Sequence, residues 1–450
     1  MSERPTPLIR SATSPESPAP ATRSVWLLIH RASSAWAFNG TPRWQPESTA
    51  SLSGSSSSPG ANVIRIGFTL IGGTAWTGGY NYLTNLLRVI TTHHAEALAP
   101  VLFLGTDIEP SIEQPLRAIA GVVIVKSEVM NASRRSRALL LSVLLGADPA
   151  VRQLFRQHGI QAIFETAQFH GAHLGIPAIA WMTDFQHREL PQRFSRFAWW
   201  KRELGFRAQI AAKRVVMLSS EDSRSVCEKH YPATIGRTRV VRFAVIPGRQ
   251  PDADAVRAVR EIYGLPERYI YLPNQFWLHK NHLLVVEALA LLKQAGQSVV
   301  VAASGKQIDP HQPKHFLHIT KQLQAKGLVD HFRLLGLIPY EHVGPLMVGS
   351  VAVLNPSLFE GWSTTVEEAR ALSVPMVLSD IPVHKEQASE LARFFDRSSA
   401  ASLAEALLSV WQSPVVATAT QPALANGSSA AVQRFAEDFL AVVRHAAAVP

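Results

Sequence analysis

Short β-branched apolar runs alternate with amphipathic stretches along this chain, and they do so in two successive series. Residues 63–70 (VIRIGFTL) open the first series, followed by a helical pattern at Tyr82, Leu83, Leu86, Leu87 and Ile90. Further apolar runs stand at 101–104, 122–125, 162–164, 178–182 and 215–218. Residues 243–254 (FAVIPGRQPDAD) break the rhythm with prolines, a glycine and polar side chains, as a linker does. It resumes at 269–272, 299–303, 332–335 and 351–354, with helical patterns over 283–293, 314–326 and 340–347 between them. Strands alternating with helices predict a parallel sheet covered on both faces. Two such series predict two Rossmann-like, doubly wound α/β domains whose strand ends face a central cleft.

Length and composition agree with that division. At 450 residues and 47% hydrophobic content the chain exceeds what one core organises. The expected boundaries are a Ser/Pro-rich disordered tail over 1–62, a first domain over 63–246, a second over 247–415, and a C-terminal segment over 416–450. That last segment carries an amphipathic stretch at 432–443 that either domain could accept. One cysteine, Cys227, excludes an internal disulfide. The apolar patch 25–29 is too short for a secretory core, so no export signal is assigned. The run 138–145 (ALLLSVLL) falls short of the roughly 20 residues that span a bilayer. The expectation is therefore cytoplasmic, with peripheral contact at the inner face of the membrane. A formal charge of +10 favours anionic partners, but no nucleic-acid-binding module is present.

Chemistry concentrates at 357–371 (SLFEGWSTTVEEARA), which follows a strand and sets Glu360 in a loop with Glu368 on the next helix. Thr364 and Glu367 have capping-box spacing, which predicts a helix starting there with its free amides facing Gly361, a seat for a diphosphate. Glu360 then reaches sugar hydroxyls and Glu368, a turn into the helix, reaches a ribose. Lys280 follows the strand 269–272 and can neutralise charge on a leaving diphosphate. His279 and His282 flank it as further candidate donors. In the first series, Gly78 and Gly79 allow a close backbone approach to a ligand. The spacing of Gly73 and Gly78 begins a P-loop, but Gly79 and Tyr80 stand where its Lys and Ser or Thr are required. Asp252 and Asp254 form a lone D-x-D in the linker, where Asp caps a helix. No His, Cys or carboxylate cluster has metal-ligand spacing, so no metal and no cofactor are expected.

The stretch from Phe359 to Glu368 with the segment to Ser379 resembles the signature of family 4 glycosyltransferases, and 274–284 (NQFWLHKNHLL) resembles that family's donor-phosphate segment. The resemblance runs over about 63–395 and is nearest to bacterial mannosyl- and other hexosyltransferases of surface polysaccharide synthesis. It implies the GT-B fold and retaining transfer of a hexose from a nucleotide diphosphate sugar. GDP-mannose is the favoured donor with UDP-sugars as alternatives, and the acceptor is a glycan or a lipid-linked one. Residue by residue it puts Glu360 on the transferred sugar, Glu368 on the ribose, Lys280 on the phosphates, and Asn274, Gly361, Trp362, Ser363 and Thr364 in the donor site, with Gly78 and Gly79 opposite. Where the family has an arginine before the lysine, this chain has Asn274 and Gln275. Where it has a histidine at the end of the strand 178–182, this chain has Thr183 and Asp184. Asp184 is then the first candidate to orient or deprotonate an acceptor hydroxyl, and His187 the second. Two rival functions share the fold: a nucleotide-sugar epimerase and an inactive scaffold.

Overall fold

The computed structural model describes residues 63–70, 77–166, 168–246, 248, 250–309, 312–388, 390–413 and 422–448. The tail 1–62, the glycine-rich stretch 71–76 and the expected boundary at 415–416 lie outside the described residues.

Two parallel sheets organise the rest. The first holds β1 (Ile64–Thr69), β2 (Leu98–Leu104), β3 (Val123–Lys126), β4 (Ala162–Glu165), β5 (Ala178–Trp181), β6 (Val215–Leu218) and β7 (Thr238–Val240) in the order β3-β2-β1-β4-β5-β6-β7. The second holds β8 (Ile270–Leu272), β9 (Val301–Ser304), β10 (Phe332–Gly336), β11 (Val353–Asn355), β12 (Met376–Ser379) and β13 (Ala392–Phe395) in the order β10-β9-β8-β11-β12-β13. Every strand pair is parallel. Both sheets reverse their winding once, between β1 and β4 and between β8 and β11. Such a reversal opens a crevice at the carboxyl ends of the strands.

The central strands are buried on both faces, as β4, β5, β6, β8 and β11 are throughout their length. Apolar runs without alternation are what such burial requires. The edge strands β7 and β13 carry no such signal: β13 reads Ala-Arg-Phe-Phe with only Phe395 buried. Neither was expected from sequence, because each is short and has an arginine within it.

The C-terminal helix Pro422–Ala448 returns to the first domain. Val432, Phe435, Phe439 and Val443 enter the core formed by β1, β4, β5 and the helix Thr77–His93. Phe439 lies 5.7 Å from Phe164 and 6.3 Å from Phe68 between ring centroids. The linker is clamped as well, since Asn85 Nδ2 donates to Ala244 O at 2.7 Å and Asn85 Oδ1 accepts from Ile246 N at 3.1 Å. Asp252 caps the helix Ala253–Ile262 through Ala255 N, and Asp254 pairs with Arg257.

Candidate active site

Lys280 ends a short 3-10 turn (Leu278–Lys280) after β8, and Glu360 lies in the loop after β11, the two strands that flank the winding reversal. Asn281 adopts a left-handed conformation (φ 58°), which the short polar Asn tolerates, and so turns the chain into the helix His282–Gln294. Leu358 N donates to His279 O at 2.8 Å and ties the turn to the loop. Lys280 Nζ then reaches Glu360 Oε1 at 2.5 Å. Ser357 Oγ lies 2.6 Å from the same carboxylate and 2.7 Å from Asn355 Oδ1. Asn355 also accepts from Asn274 Nδ2 at 3.1 Å and donates to Ser363 Oγ at 2.8 Å. Burial opposes the charge of Glu360, yet Lys280 and its other neighbours hold the carboxyl below its ordinary range. At neutral pH the lysine carries that effect, because burial has pushed His279 and His384 down to about 4. His282 is further from any donor role. It is fully buried and stacks on Phe276 at 4.3 Å, pushed down to about 3 by desolvation.

The next helix, Thr364–Ala371, is capped one residue earlier than the T-x-x-E spacing predicts. Ser363 is the N-cap, its Oγ accepting from Val366 N. Glu367 does not turn back to close a capping box. Its carboxyl is buried against Gln387 Nε2 at 3.0 Å and Arg370 at 2.6 Å, with desolvation raising it to about 7. Ser363 N donates to Gln387 Oε1. The amides of Thr364 and Thr365 have no acceptor among the described residues, and both residues line the cleft. Glu368, half-buried on the cleft wall, accepts from Tyr340 OH at 2.9 Å and is raised to about 7 by desolvation.

Gly361 is where the two domains touch. A Cβ there would stand 2.0 Å from Thr183 O, and Gly361 O accepts from Ser220 Oγ at 3.1 Å. Only glycine permits that approach. Trp362, expected in the donor site, spends its indole N–H on Phe243 O at 2.9 Å while its side chain lines the cavity. Glu386 adds a second link, accepting from Glu221 N at 2.9 Å and pairing with Arg242 at 2.8 Å.

Candidates from the first domain fare differently. Gly78 lines the cleft, whereas Gly79 is buried, and both lie in the first turn of the helix Thr77–His93 rather than in a loop before it. Asp184 lines the cleft after β5 but is occupied, with Arg202 at 2.7 Å and Gln186 N donating at 2.9 Å. Burial opposes its charge, but Arg202 and these bonds hold it below its ordinary range, which suits an orienting acceptor better than a base. His187 turns away from the cleft. It is fully buried, with Nε2 at 3.2 Å from both Glu203 Oε2 and Tyr231 OH, and desolvation lowers it to about 4. Phe194, Trp199 and Phe206 surround its ring, which makes it a packing residue.

The cavity between the domains has a volume of about 400 Å³ and brings together Gly78, Asn274, Lys280, Glu360, Thr364 and Glu368. A second cavity of about 550 Å³ joins it along Trp181, Thr183, Asp184 and His279. Sequence reasoning missed several members of the site. Asn355 and Ser357 had a signal, being polar residues directly after an apolar strand. Gly305 had none; its φ of 147° and an approach of 2.4 Å from a Cβ to Asn274 O emerge only when β8 and β9 are adjacent. Tyr340 is brought to Glu368 across 28 positions of chain. Among the described residues no group of three or more His, Cys, Asp or Glu is placed to hold a metal ion.

Known proteins resemble this chain in part of its sequence and in its fold. Residues 256–423 match the family model for glycosyl transferases group 1, a stretch that contains β8 to β13. The whole fold is similar to a glycosyltransferase from Rickettsia africae ESF-5, with a TM-score of 0.63 at 11% identity over 86% of this chain and 100% of that one. Anabaena HepE, solved in complex with UDP-glucose, superposes with a TM-score of 0.61 at 15% identity, covering 85% of this chain and 98% of its own. WaaG, a glycosyltransferase involved in lipopolysaccharide biosynthesis, gives 0.54 at 14% identity with coverage of 85% and 98%. At these identities the likeness concerns the fold, which is the α/β GT-B architecture of two Rossmann-like domains.

Proposed function

We propose that the protein is a glycosyltransferase that moves a hexose from a nucleotide diphosphate sugar to an acceptor hydroxyl with retention at the anomeric carbon and without a metal. The observation that carries the reading is the convergence of Lys280, Glu360, Glu368 and two unpaired helix amides in one cleft, within the segment that matches the glycosyl transferases group 1 model. Glu368 accepts from the ribose hydroxyls in place of Tyr340. The amides of Thr364 and Thr365, at the positive end of their helix, hold the diphosphate. Lys280 serves the same oxygens, and Glu360, steadied by Ser357, accepts from the sugar hydroxyls.

In the reaction the bond from the anomeric carbon to the β-phosphate oxygen breaks, and its electron pair stays on the diphosphate. The acceptor oxygen forms the new bond from the same face, and its proton passes to the departing phosphate oxygen. Lys280 and the helix amides stabilise the charge that grows there. Asp184, held ionised by Arg202, orients the acceptor. An epimerase would need an acid and a base poised at the sugar ring. Asp184 is committed to Arg202 and His187 is buried, so that reading is the weaker one. The subgroup resemblance favours GDP-mannose as donor, while the UDP-glucose bound by HepE supports a UDP-hexose beside it.

Thermal shift with GDP-, UDP- and dTDP-sugars at matched concentration tests the reading, because a ligand at 100 times its Kd stabilises by about 2.7 kcal/mol. One nucleotide sugar should raise the melting temperature of the wild type, and Glu360→Gln should lose most of that response while unfolding cooperatively. If no nucleotide sugar has an effect on the wild type, the transferase reading fails.

A further inference from the structure

The helix Arg135–Leu144 is inverted relative to an ordinary surface helix. Ser142 is its buried residue, while Leu139, Leu140, Val143, Leu144 and the adjoining Leu145 are 48–69% exposed. Single exposed leucines are commonplace, but five large aliphatic side chains within seven residues form a contiguous patch that water alone does not explain. Arg134 stands just before this helix, Arg135 and Arg137 lie in its first turn, and the helix contains no acid. Arg134 leans on Glu128 at 3.7 Å, and Arg135 and Arg137 make no ion pair among the described residues.

A second helix repeats this chemistry. On Arg196–Ala211, Phe197, Trp200 and Leu204 are 79%, 53% and 59% exposed. Their spacing puts them on one stripe of the helix. Arg196 and Lys201 stand beside them without an ion pair among the described residues. In the segment after β4, Gln168 shares a cavity with Arg135, and Phe169 shares another with Phe206. Both helices start on the carboxyl side of the first sheet, Arg135–Leu144 after β3 and Arg196–Ala211 after β5, the side on which the cleft opens.

We infer that this side docks on an anionic lipid bilayer, with the leucines of Arg135–Leu144 and the aromatic stripe of Arg196–Ala211 in the headgroup boundary and the unpaired arginines at lipid phosphates. Apolar side chains flanked by unpaired cations are what an interfacial helix presents. A second copy of the chain fits less well. A two-fold contact would set Arg135 and Arg137 against their own kind, with no acid on the helix to offset them. The inference goes beyond the chemistry of the cleft and is independent of the donor assignment.

Cosedimentation of the full-length protein with vesicles tests it, comparing phosphatidylglycerol mixed into phosphatidylcholine with phosphatidylcholine alone. The wild type should bind the anionic vesicles, and added salt should weaken that binding. Leu140→Asp with Leu144→Asp should lower it by about tenfold per leucine, and Phe197→Asp should lower it independently. Arg135→Glu with Arg137→Glu should abolish the preference for the anionic lipid. All these positions are exposed, so each variant should keep the wild-type melting temperature and its response to the nucleotide sugar. The proposal is overturned if the wild type ignores anionic vesicles, or if the leucine and Phe197 variants bind as it does. A doubled mass in light scattering that the leucine variants abolish, with no vesicle binding, overturns it in favour of a second copy. Vesicle binding with no response to any nucleotide sugar would leave this inference standing and remove the transferase reading.

Discussion

Glu368 carries the pH dependence expected of the proposed donor site. Enclosure by the cleft raises its pKa from 4.5 to about 7, against the hydrogen bond that Tyr340 OH donates to it. Because the folded value is raised, the contribution of Glu368 to stability is fully present below pH 4.5 and is lost as the pH rises through 7. In the proposed donor complex the sign is opposite, since ribose hydroxyls donate to a carboxylate better than to a carboxylic acid. Donor affinity should therefore tighten by about tenfold between pH 6 and pH 8 as the group ionises. Glu368→Gln should bind more weakly and lose that slope, as isothermal titration across the pH range would show. A wild-type affinity flat with pH would refute this role.

At the scale of elements, the helix Arg196–Ala211 is anchored by one buried carboxylate. Glu203 is fully buried, accepts from Tyr231 OH at 2.6 Å and from Arg207 Nε at 2.6 Å, and is also bonded by Arg188. Burial disfavours its charge, but Tyr231, Arg207 and Arg188 more than offset this and set its pKa at about 2. Its contribution is thus present above pH 4.5 and is lost as the pH falls toward 2. Glu203→Leu removes the one acceptor these groups share and leaves Arg188 partly buried and unpaired. The expected cost is about 3 kcal/mol, the low end for a broken buried pair because Arg207 stays hydrated. Urea denaturation would measure it, and a loss under about 1 kcal/mol would mean that water replaces the carboxylate. The same anchor explains why His187 does not reach the cleft, a fact that no local pattern around it contains.

At the scale of the molecule, the cleft is set by where the domains meet, and Gly361 is a point of close backbone approach in that meeting. Gly361→Ala would force its new methyl group against Thr183 O, 2.0 Å away, so the second domain must draw back. A displacement of about 1 Å at a reacting centre costs on the order of a hundredfold in rate. We expect kcat/KM to fall by that order while the far-ultraviolet dichroism stays unchanged, since both sheets lie away from the contact. An activity within about threefold of wild type would mean that the domains accommodate the methyl group elsewhere. The C-terminal helix belongs to this scale too, for Val432, Phe435, Phe439 and Val443 return the chain to the first core after the second is complete.

The alternating apolar runs determined the two parallel sheets, because buried central strands need uninterrupted hydrophobic side chains whatever their neighbours. The loop and helix around Glu360 and Glu368 were legible for a related reason: a strand end, a glycine and a capped helix are local structures written in adjacent residues. The N-cap was misread by one position because Ser363 and Thr364 offer the same hydroxyl, and only packing against Asn355 and Gln387 chooses between them. The strands β7 and β13 were not legible, since Thr-Arg-Val and Ala-Arg-Phe-Phe are short segments with an arginine within them. Tertiary structure alone decided that Lys280 meets Glu360 across 80 positions, that Asp184 is spent on Arg202, and that the last helix joins the first domain. Periodicity records which side of an element is buried. What it is buried against depends on shape and charge complementarity between distant segments, which comes into being only when the chain has folded.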